Sequence, residues 1–125
     1  KICVVNSDIF WKNENKFDVK NFLYDYDDVT HCKLLLSKKN NFFGLKKNIG
    51  DFKLINNSVS RCFGDSDCFF YSGLQVVSEN IFDNITNFSN MNTIWNDLIR
   101  YKNLKGSVSN SNIFHIGDKK TFDSF

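Results

Sequence analysis

The sequence predicts an α+β fold. Short strands fill the N-terminal half, two amphipathic helices follow at about 68–82 and 91–101, and a hairpin closes the chain. Three observations carry this prediction. Apolar runs of strand length recur before residue 56, Phe70, Leu74, Val77 and Ile81 repeat at helical spacing, and a second helical face runs from Met91 to Ile99. The chain has 125 residues, one domain's worth, and is 42% hydrophobic and 24% charged, so it should bury a core rather than stay disordered.

Taken in order, Lys1–Val5 reads as a strand that breaks at the polar Asn6–Asp8. Phe17–Tyr26 mixes apolar and acidic residues and fits a strand or a short helix equally. His31–Ser37 is a strand around Leu34–Leu36, and Lys38–Leu45 is a loop with Phe42 and Phe43 at its tip. Asp51–Asn56 is a further strand, and Cys32–Ser37 with Asp51–Ile55 would make a long-looped hairpin. Asp65 or Asp67 would cap the first helix, and Asn90 or Asn92 the second, with Gly106 beyond its end. Trp95 falls on the apolar face with Leu98 and Ile99 and should be core, whereas Trp11 beside Phe10 fits a core anchor or a contact aromatic. Asn112–Ile116 is a strand, Gly117–Lys120 a turn, and Thr121–Phe125 the last strand.

Composition narrows the functional classes. The net charge is only +2, from 16 basic and 14 acidic residues, which argues against nucleic-acid binding. Lys38, Lys39, Lys46 and Lys47 cluster around Asn40–Leu45, as a solvated loop or a contact for an acidic partner. The longest apolar runs, Ile2–Val5 and Leu34–Leu36, are far short of the roughly 18 residues of a membrane span. There is no Ala and no Pro, against 18 Asn and 14 Phe, the codon signature of an AT-rich genome such as that of some parasites, viruses or bacteria. The chain starts at Lys1 without a visible signal peptide, so we expect one domain over 1–125, processed or excised from a longer protein.

The four cysteines, Cys3, Cys32, Cys62 and Cys68, fit two disulfides in any of three pairings, or reduced, mostly buried thiols; their spacing is not that of a zinc site. Paired cysteines would place the protein outside the cell or on a surface, reduced ones in a host or parasite cytoplasm. Asn-x-Ser/Thr sequons occur at Asn56, Asn84 and Asn87, close to the number that so much Asn produces by chance. No cofactor signal is present.

Chemistry concentrates in Gly64–Leu74. If residues from 68 onward are helical, Cys68 lies in the first turn, where free amides stabilise a thiolate and hold a developing oxyanion. His115 would be the base, with Asp118 or Asp123 to orient it. The segment resembles the active-site stretch of the ovarian-tumour (OTU) family of papain-like deubiquitinating cysteine proteases. Asp65, Asp67, Cys68, Phe69, Phe70 and Ser72 match that pattern, and Ser66 stands where Gly is usual. The resemblance implies Cys68 as nucleophile, Asp65 in the loop that shapes the oxyanion hole, and a ubiquitin-like protein as partner. The alternative expectation is a secreted, disulfide-stabilised interaction domain without catalysis that binds a host or parasite surface protein through exposed aromatics and loops.

Overall fold

The computed structural model describes residues 1–12, 16–25, 31–64, 67–83 and 90–125. At its centre is a mixed sheet of six strands: β1 (Ile2–Val5), β3 (Cys32–Ser37), β5 (Phe52–Ile55), β6 (Ser58–Arg61), β7 (Phe70–Val77) and β8 (Leu104–Ser109). Their spatial order is β1-β7-β3-β8-β6-β5. A smaller sheet of β2 (Ile9–Trp11), β4 (Phe42–Phe43) and β9 (Ile113–His115) has β9 in the middle. The helices are α1 (Lys16–Tyr24), α2 (Met91–Arg100) and α3 (Lys119–Asp123).

The alternation of β3 explains the layers. Successive side chains of a strand point to opposite faces. Leu35 meets Phe22 of α1 together with Leu74 and Val76, whereas Leu34 and Leu36 join Trp95 of α2, Phe52 and Val77 on the other side. Helices therefore cover both faces, and the three leucines are at most 1% exposed. Trp95 anchors α2, its ring edge-on to Phe52 and Tyr71 at centroid distances of 5.6 and 5.0 Å. Its Nε1 donates to Gln75 Oε1 at 3.2 Å, so the buried indole is satisfied. Asn90 caps α2 by accepting from Thr93 N at 3.1 Å.

Several expectations need correction. Residues 70–77 form a strand, not a helix. As a central strand β7 is buried on both sides, so even Ser72 and Gln75 are inside, and the helical spacing of its large residues is accidental. Its aromatic and β-branched residues suit a pleated, buried surface. The C-terminal hairpin does not form either. Strand β9 pairs with β2 and β4, and residues 119–123 turn into α3 because Asp118 accepts from Thr121 N at 2.7 Å. Strand β5 pairs with β6 rather than β3, through a two-residue turn in which Asn56 and Asn57 take φ of 49° and 68°. Two successive positive φ values make a tight hairpin turn, and Asn tolerates them. Residues 42–43 are strand, and Phe17–Tyr24 lies within α1; Tyr26 is outside the described residues. Helix α2 ends at Arg100 with Tyr101 as its cap, and the chain turns away at Lys102, whose φ is 58°, while Gly106 lies within β8.

Candidate functional site

The direction of the strands locates the site. Strand β1 is antiparallel to β7, β7 is antiparallel to β3, and β3 is parallel to β8. Hence β1, β3 and β8 point the same way, and their carboxyl ends share one edge of the sheet. Ligands of open α/β sheets bind outside such carboxyl ends. An open pocket of about 250 Å³ lies there. Asn6, directly after β1, contributes to it, as do Lys47 from the segment after β3 and His115 from the segment after β8.

The floor of the pocket is aromatic and its walls are charged. Phe52 and Trp95 lie beneath, and Arg61 spreads over the Phe52 ring at 4.9 Å. The Arg61 guanidinium is aimed by α2: Nε donates to Asn96 Oδ1 at 2.9 Å and Nη2 to Asn92 Oδ1 at 3.0 Å. Opposite, the Asp51 carboxylate accepts the Tyr71 amide at 3.0 Å and pairs with Lys47 Nζ. Burial raises the pKa of the Tyr71 hydroxyl above the ordinary tyrosine value. At the rim, His115 Nε2 lies 3.0 Å from Asp8 Oδ2. The connection from β8 to β9, which leads to His115, is held from α1, where Asp18 accepts from Asn110 N at 2.9 Å, from Ser111 N at 3.3 Å and from the Ser109 hydroxyl. Asp8 and His115 offer two metal ligands, and among the described residues no three His, Cys, Asp or Glu side chains gather. Two cations, a carboxylate and amides over a ring floor suit a small polar anion with a flat or hydroxylated body.

The residues singled out from sequence are dispersed. Cys68 is bonded to Cys62, with Cα atoms 5.8 Å apart, and precedes a strand instead of opening a helix. Cys3 and Cys32 are free thiols: Cys3 is exposed on β1 and Cys32 is buried on β3, the two strands that flank β7. His115 faces Asp8, and Asp118 caps α3. Asp65, Asn84 and Asn87 lie outside the described residues, and Asn56 sits exposed in the β5–β6 turn. Phe10 stacks on Phe114 at 4.8 Å, and Trp11 packs inward between two core clusters. The pocket residues Asn6, Asp51 and Arg61, and Asp8 beside His115, went unnoticed as site residues in the sequence. The polar break Asn6–Asp8 after an apolar strand was the one available signal, since it marks a strand's carboxyl end.

No family model and no curated relative matches the chain. Solved structures do. The inositol-1-phosphate CTP transferase from T. maritima superposes with a TM-score of 0.69 at 12% identity, over 95% of this chain and 50% of that one. A protein assigned as a glucose-1-phosphate thymidylyltransferase from Bacillus anthracis, solved in complex with a sucrose, gives 0.64 at 12% identity, over 98% and 51%. At this identity the likeness is one of fold, and the chain spans about half the length of each neighbour. The finding overturns the cysteine protease expectation: the neighbours are nucleotidyltransferases, and the segment matching the ovarian-tumour pattern runs into a buried strand. The likeness of fold lends no support to the secreted, host-binding alternative. Among the described residues no helix is long and apolar enough to cross a membrane.

Proposed function

We propose that this chain forms the part of a nucleotidyltransferase that holds a phosphorylated sugar or polyol. The observation that carries the reading is the pocket at the carboxyl ends of β1, β3 and β8, where Lys47 and Arg61 flank an aromatic floor. The chemistry named for both structural neighbours supports it, since inositol-1-phosphate and glucose-1-phosphate each join a hydroxylated ring to a phosphate. In nucleotidyl transfer a phosphate oxygen of the acceptor attacks the α-phosphorus of a nucleoside triphosphate, and pyrophosphate leaves. The residues described here would serve that step by binding and orienting the acceptor. Arg61 and Lys47 meet its phosphate, and Asp51 and Asn6 accept or donate to its hydroxyls, above a base made rigid by the buried Phe52 and Trp95.

Titration calorimetry with inositol-1-phosphate and glucose-1-phosphate tests this, with inositol and glucose as controls. The phosphorylated ligands should saturate the protein and the controls should not. Arg61→Ala and Lys47→Ala should each weaken binding about tenfold or more, the effect of losing a charge-assisted contact of about 1.5–3 kcal/mol. Equal affinity for the unphosphorylated controls, or no saturable binding of either phosphate, would sink the reading.

A further inference from the structure

The start of β5 is held from two sides. Cys62 N donates to Asp51 O at 3.2 Å, and on the other side Asp51 N and Phe52 N both donate to Phe69 O at 2.7 and 3.0 Å. Phe69 N returns a bond to Phe52 O at 2.6 Å, and Tyr71 N reaches the Asp51 carboxylate at 3.0 Å. The chain segments that make these contacts leave β6 at Arg61 and enter β7 at Phe70, and the Cys62–Cys68 bond joins them. The bond crosses directly against Gly50, where an added Cβ would lie 2.8 Å from Cys68 Cβ. Arg61, Asp51, Phe52 and Tyr71, which line the pocket, are thus the immediate neighbours of the bridged pair. Cys62 is buried at 8% exposure, while Cys68 is half-buried and lines a shallow groove of about 240 Å³ with Gly50, Gly64 and Asp67, so a small thiol or disulfide reaches the pair from the Cys68 side. Elsewhere in the molecule Cys3 and Cys32 stay free.

We propose that Cys62 and Cys68 are a reversible redox site that sets the order of the pocket wall. In the reduced protein the two thiols no longer tie β6 to β7, and the hydrogen bonds through Asp51 open more often. Oxidation uses a small disulfide such as oxidised glutathione. The Cys68 thiolate attacks one of its sulfurs, forming a mixed disulfide and releasing one glutathione thiolate. The Cys62 thiolate then attacks Cys68 Sγ, the Cys62–Cys68 bond forms, and the second glutathione leaves as thiolate. The two protons lost by the protein thiols go to the two glutathiones, so two protein thiols become one disulfide and one glutathione disulfide becomes two thiols.

Amide hydrogen exchange on the oxidised and the dithiothreitol-reduced protein tests the site, in a Cys3→Ser background that removes the exposed third thiol. Reduction should speed exchange at Cys62, Phe69 and Tyr71 about tenfold while leaving β3 and β8 protected, and oxidised glutathione should restore the slow rates. The Cys62→Ser/Cys68→Ser double variant should behave as the reduced form. Unchanged exchange at these amides, loss of protection throughout β3 and β8, or a bond that survives millimolar reduced glutathione would each overturn the proposal. The effect on ligand rests on the pocket reading given above, and inositol-1-phosphate separates the two. Exchange that responds to reduction with no binding in either state leaves the redox site standing and removes the pocket assignment. Equal affinity in both states with unchanged exchange does the reverse.

Discussion

Gly73 lies where the pairing of β7 with β3 shifts, between Leu34↔Gln75 and Leu36↔Tyr71, and its φ is +93°. An added Cβ would sit 2.2 Å from Ile9 Cδ1, so both backbone and space demand glycine here. Gly73→Ala should lower stability by about 1–3 kcal/mol, measured as a shift of the urea midpoint at unchanged slope. The two free thiols differ more sharply than their number suggests. Burial pushes the pKa of the Cys32 thiol up to about 12, and raises that of Cys3 as well, but Cys3 is exposed and Cys32 is not. Iodoacetamide at about pH 8 should therefore modify Cys3 in the native protein and reach Cys32 only after denaturation, as peptide mass mapping would show. Native labelling of Cys32 would contradict its burial on β3.

Among the elements, α3 has a pH dependence of known sign. The Asp118 carboxyl is held below the ordinary carboxylate range, chiefly because it accepts the Thr121 amide. A depressed carboxyl pKa contributes stability above its unfolded value and loses it as pH falls through the folded one. The protection factor of the Thr121 amide, its exchange taken relative to the intrinsic rate at each pH, should accordingly fall as the solution is acidified below the carboxylate range, and Asp118→Ala should abolish that dependence. The same helix shows why sequence reading stopped short. Asp118 and Thr121 stand at capping distance, but alternating Lys, Thr and Phe read equally well as a strand. Helix α2 was legible because Asn90 caps it and Trp95, Leu98 and Ile99 share its inner face while the opposite face is polar. Strand β7 was not, because a strand covered on both sides loses the alternation that identifies strands. The candidate site was the least legible of all. Lys47 with Asp51, Arg61 and His115 come from three separate segments, and the sheet brings them together.

On the scale of the whole molecule, the centre of the sheet joins distant parts of the chain. Strand β3 pairs with β8 in parallel from Cys32↔Leu104 to Ser37↔Ser109, and β7 lies on its other side. During synthesis β3 and β7 emerge early, yet one long edge of β3 stays open until residue 109 has left the ribosome. Pairing across so long a loop is slow, and an apolar strand left open meanwhile invites association with other chains. A chain cut after Asn103 should lack a cooperative urea transition and aggregate, although all of β7 and α2 is still present. A sharp transition in that truncated chain would mean that the parallel pair at the centre is a late addition and not the closing step of folding.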